Sequence, residues 1–230
     1  MSTRQSPGDH PESVWTIVVA AGSGNRFGGA KQYHLACGRR VLDWSISAAH
    51  GVSDGIVLVV HPDYLDRAEP SVFAVVKGGQ TRAESVRNGL AAVPGSATVI
   101  LVHDAARPCA TPELFKRVVA HVVNGAHAVV PGVMLNDTIK RVELGGDGIT
   151  LVAETLPRDR LRAIQTPQGF RADVVRDMYA GGLQGTDDAS IAEAHGIEVV
   201  IVDGEVDNIK VTHRDDAQFI ERVLKERVFT

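Results

Sequence analysis

The 230-residue sequence has few cysteines, no long basic run and no long hydrophobic run. Its two cysteines, Cys37 and Cys109, are too few for a disulfide framework, which favours a reducing compartment. A net charge of −4 without a basic cluster argues against a nucleic-acid surface. No apolar run approaches the roughly 20 residues of a membrane span. We therefore expect a cytoplasmic protein that binds neither nucleic acid nor membrane.

The first thirteen residues are polar and lack the apolar segment of a signal peptide. We expect residues 1–13 to form a disordered extension. Residues 14–230 contain no internal repeat and no low-complexity tract, which favours a single domain. A chain of this length with 44% hydrophobic residues can bury a core without covalent staples.

Short runs rich in valine and isoleucine alternate with helical segments, which predicts an α/β fold with a Rossmann-like, mostly parallel sheet flanked by helices. The predicted strands cover residues 15–20, 55–60, 98–103, 127–132 and 198–203. Thr81 and Glu84 have the spacing of a capping box. Thr111 followed by Pro112 begins another predicted helix. Four glycines follow predicted last turns, namely Gly51, Gly125, Gly181 and Gly196.

The region from about Val133 to Gln165 interrupts this alternation. It contains two runs of alternating polarity on either side of the turn signal Gly145–Gly148. This pattern predicts a β-hairpin inserted into the α/β fold as an arm. Because an isolated hairpin is only marginally stable in water, we expect the arm to pack on something, a second subunit being one candidate.

A glycine-rich loop, AAGSGNRFGGAK, follows the first predicted strand, at the edge of the sheet where α/β folds bind ligands. It fits neither common phosphate-loop pattern. Phe27 stands where a dinucleotide fingerprint has its third glycine, and Ala30 stands where a Walker A loop has its lysine. Small residues still let backbone N–H groups approach phosphate oxygens, and Arg26 and Lys31 could neutralise a triphosphate. The alternative is a plain strand-to-helix turn with two solvated cations.

The loop resembles that of nucleotidyltransferases, and further motifs narrow the resemblance to the 2-C-methyl-D-erythritol 4-phosphate cytidylyltransferase family. Those motifs are GGQTRAESV (78–86), VHDAARPC (102–109), NDTIK (136–140), QTPQGF (165–170), TDDAS (186–190) and DNIKVT (207–212). The resemblance runs from about Trp15 to the C-terminus. The sequence departs from the usual family pattern at Val19, at Gln80 and in a short spacing between Arg26 and Lys31.

The resemblance implies transfer of CMP from CTP to 2-C-methyl-D-erythritol 4-phosphate, with release of pyrophosphate, in isoprenoid precursor biosynthesis. The nucleophile is then a phosphate monoester with a second pKa of about 6, so it needs no general base. Charge repulsion is the barrier, and a site must supply cations and in-line positioning. Two alternatives stay open: a ribitol 5-phosphate cytidylyltransferase, and a catalytically inactive nucleotide-binding regulator.

The resemblance also implies residue roles. The catalytic cations are Arg26, Lys31, Arg158 and Lys210. The nucleotide-binding residues are Ala20, Ala21, Gly22, Ser23, Gly24, Gly78, Gly79, Ser85, Asp104 and Ala105. The substrate-binding residues are Asp104, Arg107, Thr138, Arg158, Thr166 and Lys210. Mg²⁺ or another divalent cation is assigned to Asp104 and Asp207.

Further expectations concern the arm, the base pocket and four residues outside the proposed chemistry. Arg158 lies on the arm, and the resemblance implies a homodimer clasped through the arms, in which this arginine serves the partner's site. The cytosine pocket is expected to be built from Ala20, Ala21, Gly78, Gly79 and Ser85, with backbone contacts reading the amino donor and the carbonyl acceptor of the base. Asp187 and Asp188 are expected to cap a helix, and His103 and Cys109 to be structural.

Overall fold

The computed structural model describes residues 12–67, 69–146 and 148–228. The expected N-terminal extension therefore lies almost wholly outside the described residues. Its last residue, Ser13, donates its N–H to the Thr98 hydroxyl at 2.9 Å and accepts the N–H of Thr98 at 2.9 Å. Ser13 thus belongs to the folded part of the chain, and the predicted boundary at residue 13 is too late.

The strands are β1 (Val14–Ala20), β2 (Leu35–Ala36), β3 (Arg39–Arg40), β4 (Gly55–Val60), β5 (Ala74–Lys77), β6 (Val99–Asp104), β7 (Ala128–Met134), β8 (Ile139–Leu144), β9 (Thr150–Leu156), β10 (Arg162–Ile164), β11 (Gln168–Arg171) and β12 (Val199–Asp203). The α-helices are α1 (Val41–His50), α2 (Arg82–Ala92), α3 (Pro112–Val123), α4 (Ala172–Ala180), α5 (Asp188–Ala194) and α6 (Arg214–Val228). Short 3-10 helices cover Lys31–Tyr33, Pro62–Tyr64 and Arg158–Arg160. No helix within the described ranges is both long and apolar enough to cross a membrane.

An eight-stranded sheet forms the centre of the fold, in the order β10-β7-β11-β6-β1-β4-β5, with β12 paired to β7. The pairs β1–β4, β1–β6, β4–β5 and β7–β12 are parallel. The strands β10 and β11 run antiparallel to β7, and β11 also runs antiparallel to β6. The α/β fold with a mostly parallel sheet is therefore confirmed.

All five predicted strands are present, and no strand end differs from the prediction by more than two residues. Thr111 accepts the N–H of Leu114 at 3.1 Å and caps α3, as predicted. The capping box at α2 is only half formed. Thr81 accepts the N–H of Glu84 at 3.1 Å, but the Glu84 carboxylate accepts from Gln80 instead of Thr81.

The sheet is buried on both faces, because helices cover each side. On one face α1 and α3 contribute buried side chains such as Leu42 and Leu114. On the other face α2 and α4 contribute Val86 and Val175. Every residue of β4 and β6 is buried, which explains the apolar run of β4 and of the first four residues of β6. A third cluster joins α6 to the glycine-rich loop through Ile220.

The predicted hairpin is present as a separate two-stranded sheet of β8 and β9. At the turn, the N–H of Gly145 donates to the carbonyl of Ile149 at 2.7 Å. The hairpin carries five apolar side chains, distributed over both of its faces, that are each more than half exposed in the single chain: Val142, Leu144, Ile149, Leu151 and Val152. We call this set the arm surface.

Gly89 lies where α2 packs on β1, and a Cβ at this position would lie 2.6 Å from Cγ2 of Ile17. Alanine normally favours a helix over glycine by about 1 kcal/mol. Here the steric overlap dominates, so Gly89→Ala should lower the free energy of unfolding by about 1–3 kcal/mol. Urea unfolding followed by circular dichroism measures this.

Gly95→Ala is the matched control, because a Cβ there meets nothing within 4 Å. Its free energy of unfolding should change by less than about 0.5 kcal/mol. Equal or greater stability for Gly89→Ala would contradict the close helix–sheet contact.

Candidate active site

The parallel strands end side by side and bring their following loops together. In the sheet register Ala20 lies beside Val60, and Val60 beside Lys77. On the other side of β1, Val19 lies beside Asp104. The loops after these strand ends line a cavity of about 930 Å³. Its lining includes Ala20, Ala21, Gly22, Ser23, Gly24, Arg26, Lys31, Gly78, Gly79, Ser85, Asp104, Ala105 and Lys210, all predicted site residues.

A smaller cavity of about 250 Å³ adjoins the first. It contains Arg107 and Thr166 of the predicted substrate-binding set. Both cavities are lined by Arg82, Asp104 and Lys210, so the two spaces meet at this charged cluster.

Three predicted residues line neither cavity within the single chain. Thr138 and Arg158 belong to the arm region, and Arg158 donates to the carbonyl of Asn136. Asp207 lies 3.9 Å from Arg227 of α6. The structure therefore does not bring Asp207 together with Asp104 around one cavity, contrary to the expected metal pair, because its carboxylate is beside the C-terminal helix.

The glycine-rich loop closes tightly on the carbonyl of Gly24. This oxygen accepts the N–H groups of Phe27, Gly28 and Gly29 at 2.9, 3.0 and 3.2 Å. Gly24 has a φ of +70°, and a Cβ there would lie 1.8 Å from the Gly29 carbonyl oxygen, so only glycine fits. In the described part of the chain no group accepts the N–H groups of residues 22–26. Five backbone donors are thus available to phosphate oxygens.

The C-terminal part of the chain holds this loop in place. Phe27 is buried in the same cluster as Val211 and Ile220. Arg214, at the start of α6, donates from Nε to the Phe27 carbonyl at 3.2 Å. The Nζ of Lys31 donates to the Val211 carbonyl at 2.5 Å. The two ends of the sequence therefore build one cationic site.

Lys31 sits in a partly buried and positively charged environment. Burial lowers its pKa below the ordinary lysine value, and the nearby Lys210 ammonium lowers it further. Asp104 acts in the opposite direction and raises it. The charge on Lys31 is thus disfavoured until an anion approaches, as expected of a phosphate-binding lysine.

Asp104 is the most heavily paired carboxylate of the site. Its Oδ2 lies 2.8 Å from Nζ of Lys210 and 3.9 Å from Nε of Arg107, and its Oδ1 lies 3.4 Å from Nε of Arg82. Burial alone would raise the pKa of Asp104, but these three cations hold it well below its usual range. Asp104 is therefore ionised at any physiological pH.

Arg82 is a site residue that sequence reasoning missed. Its guanidinium lies 3.4 Å from Asp104 and donates to Asp188 at 2.7 Å, and Asp188 accepts from the Tyr179 hydroxyl. Burial would lower the pKa of Arg82, but the two carboxylates raise it above its usual value. Arg82 lies within the motif GGQTRAESV, but its partner Asp188 is expected from the sequence to cap a helix. Asp187 alone has that role, since it accepts the N–H of Ser190 at 2.9 Å.

His103 and Cys109 are structural, as expected. His103 is fully buried, and its Nδ1 lies 3.0 Å from the Thr166 hydroxyl, which accepts the N–H of Asp104 at 3.0 Å. Burial lowers the pKa of His103 to about 4 and raises the pKa of Cys109 to about 12. Both side chains are therefore neutral. Cys37 and Cys109 are free thiols, in line with the absence of a disulfide framework.

Residues 14–226 match the profile of the family described as IspD: 2-C-methyl-D-erythritol 4-phosphate cytidylyltransferase. The chain belongs to this family. A protein of that name from Frankia casuarinae is 40% identical over 219 residues, covering 92% of this chain and 81% of the relative. The bifunctional enzyme IspD/IspF of Solidesulfovibrio magneticus is 39% identical over 226 residues, covering 89% of this chain. The chain spans about half of that relative's length (55%), and it spans a similar share (54%) of a second bifunctional relative.

The fold matches solved structures of the same family. The 4-diphosphocytidyl-2C-methyl-D-erythritol synthase from Anaerococcus prevotii superposes with a TM-score of 0.78 at 30% identity, covering 93% of this chain and 99% of that one. The match extends over nearly the whole of both chains.

The pKa of Lys31 can be measured directly by ¹³C NMR of the lysine Cε atoms. We expect Lys31 to lose its proton below the ordinary lysine pKa of about 10.4, because burial and Lys210 disfavour its charge. Asp104→Asn should lower this pKa further, since it removes the carboxylate that favours the charge. Lys31→Arg identifies the resonance by its disappearance. A Lys31 pKa at or above the ordinary value would contradict the proposed environment.

Proposed function

We propose that this chain transfers CMP from CTP to 2-C-methyl-D-erythritol 4-phosphate, giving 4-diphosphocytidyl-2-C-methyl-D-erythritol and pyrophosphate. The reaction supplies an isoprenoid precursor. The observation that carries the proposal is the convergence of the loop cations with Asp104 and Lys210 on one cavity, in a chain of this family. The reaction takes place in the cytoplasm, where a reducing environment suits two free thiols.

Each of the two cavities binds one of the two substrates. The larger cavity has the volume of a small-molecule site and is lined by the glycine-rich loop, so it takes the nucleotide. The phosphates of the nucleotide accept hydrogen bonds from the free N–H groups of residues 22–26. The smaller one has Arg107 and Lys210 in its lining and takes the polyol phosphate. The charged cluster at their boundary then lies between the phosphate nucleophile and the nucleotide.

The chain's own residues lower the charge barrier of the reaction. The incoming phosphate monoester is mostly dianionic at neutral pH and attacks the α-phosphorus without a general base. Lys31 and Lys210 are held at the cavity by the Val211 carbonyl and by Asp104, and Arg26 lies exposed on the loop. Fixed cations stabilise the charge that gathers on the transferring group and on the leaving pyrophosphate.

A divalent cation, Mg²⁺ being the usual choice, fits this site with Asp104 as a ligand. Mg²⁺ is commonly held by one or two carboxylates and by substrate phosphates. The described residues contain no group of three or more ligating side chains, so the nucleotide phosphates would supply most ligands. When bound, the cation would neutralise phosphate charge. Asp207 is 3.9 Å from Arg227 and would reach this cation only by leaving that contact.

The direct test is pyrophosphate release with CTP, Mg²⁺ and either methylerythritol phosphate or ribitol 5-phosphate. We expect turnover with the first, loss of turnover on chelation of the metal, and its return with added Mg²⁺. Lys31→Ala is the matched control and should lower kcat by about 10²–10³, since it removes a cation that acts on developing charge.

Turnover with ribitol 5-phosphate but not with methylerythritol phosphate would identify the protein as a ribitol 5-phosphate cytidylyltransferase. The absence of turnover with both would favour an inactive nucleotide-binding regulator. That reading is disfavoured by the presence of Arg26, Lys31, Asp104 and Lys210 at one cavity.

We further propose that the protein is a homodimer joined through the arm. The arm surface carries five apolar side chains that are each more than half exposed in the single chain, and Leu144 is 84% exposed. A hairpin with such a surface needs a packing partner. A two-fold pair is the commonest solution, and it would let Arg158 and Thr138 reach the partner's smaller cavity.

Subunit mixing tests whether the site is shared. Arg158→Ala and Lys31→Ala should each be nearly inactive alone. After random exchange about half of the dimers are mixed, and each mixed dimer has one site with both defects and one site with neither. Mixing should therefore restore about a quarter of the wild-type activity per total site. If exchange is demonstrated and no activity returns, Arg158 acts within its own chain.

A further inference from the structure

Asn208 is a fully buried polar residue in the segment that follows β12. Its Nδ2 donates to the Thr166 carbonyl at 3.0 Å and to the side-chain oxygen of Gln165 at 3.3 Å. Its backbone N–H donates to the Glu205 carbonyl at 3.0 Å. Buried polar groups that lose a partner are costly, so these bonds fix both the backbone and the carboxamide of Asn208.

The backbone of Asn208 holds an arginine of the smaller cavity. Nη1 of Arg107 donates to the Asn208 carbonyl at 2.7 Å, and Nη2 donates to the Ile164 carbonyl at 3.3 Å. Nε of Arg107 is buried without a hydrogen-bond partner in the described part of the chain. Two backbone carbonyls therefore decide where the charge of Arg107 lies.

The segment from Asn208 to Val211 is attached at both ends to the turn that follows β6. Asn208 accepts from Arg107, and Val211 donates its N–H to the Ala106 carbonyl at 2.8 Å. Lys210 lies between these two attachments. The Val211 end is also fixed by its own buried side chain, so the Asn208 end is the one that depends on a side-chain hydrogen bond.

We propose that Asn208 is a positioning residue for the second substrate, because it holds Arg107 and Lys210 where they bind the phosphate of the polyol. The inference rests on the proposed function and extends it to a residue that lines neither cavity. Asn208 acts only through its neighbours. The same carboxamide also fixes the backbone of Thr166, which lines the smaller cavity. A shift of about 1 Å in such a set weakens the grip on a phosphate strongly.

The test measures both KM values of Asn208→Ala, which removes the two Nδ2 hydrogen bonds and keeps the backbone. With CTP saturating, KM for methylerythritol phosphate should rise by about tenfold or more. KM for CTP should stay within about twofold, because the glycine-rich loop is held by the separate cluster around Phe27 and Val211. A purely structural role would lower the amount of folded enzyme, and hence the apparent kcat, without changing either KM.

Gly89→Ala is the matched control, because it should destabilise the protein from a position that lines neither cavity. It should leave both KM values unchanged. Asn208→Ser is the milder variant, since its hydroxyl can donate to only one of the two oxygens. Its KM for methylerythritol phosphate should lie between those of the wild type and Asn208→Ala, and it decides the question if Asn208→Ala does not fold.

The assignment of Asn208 would be overturned by an unchanged polyol KM in the folded Asn208 variants. An equal rise in KM for CTP would overturn it as well, and so would an equal rise of the polyol KM in Gly89→Ala.

Calorimetric titration without Mg²⁺ separates this inference from the proposed function. The probes are methylerythritol phosphate and ribitol 5-phosphate, each added to protein saturated with CTP. Binding to the wild type without turnover in the full assay would refute the proposed reaction, and a Kd about tenfold weaker in Asn208→Ala would still support the inference. Turnover by the wild type with an unchanged Kd in the variant would overturn the inference alone. Absence of binding by either probe would overturn both.

Discussion

The ion pairs of Asp104 are the interaction on which the rest of the site depends. This carboxylate ends β6, and it is approached by Arg82 from the start of α2, by Arg107 from the following turn and by Lys210 from the segment after β12. Three distant parts of the sequence are thus fixed around one anion. Buried cations of like charge would repel each other and lose solvation, and the carboxylate offsets both costs. Asp104, Arg82 and Lys210 of this cluster line both cavities.

A second ion pair of Arg82 extends this cluster into the core. Arg82 also binds Asp188, whose side chain is fully buried and accepts from the Tyr179 hydroxyl. Burial raises the pKa of that hydroxyl, and the carboxylate beside it acts in the same direction. The arginine is therefore held between the packed interior and the cavity. A buried carboxylate without its cation would be strongly destabilising, so this geometry is coupled to folding itself.

The sequence predicts the parts of this protein that depend on local pattern. Five apolar strands, the caps at Thr111 and Asp187 and the hairpin all have short-range signals, and all are present. By contrast β10 and β11 are three and four residues long, too short for a periodic pattern, and they become strands by pairing with β7. The family motifs identified most residues of the larger cavity. They could not show that Asp188 faces Arg82, because that contact joins residues 106 positions apart.

The two ends of the larger cavity differ in hydrogen-bonding character, and this difference would orient the nucleotide of the proposed reaction. The loop end offers unpaired N–H groups at residues 22–26 with Arg26 and Lys31, which suit phosphate oxygens. The turn at residues 78–80 donates its N–H groups within the protein and offers acceptors, which suit an amino group and repel phosphates. A nucleotide bound in reverse would place anions against the Glu84 carboxylate of this cavity and a neutral base among the cations. One orientation would therefore satisfy both ends, with the triphosphate on the same side of the cavity as the loop cations. In the proposed reaction the second substrate would meet the nucleotide at the cluster around Asp104, which lines both cavities.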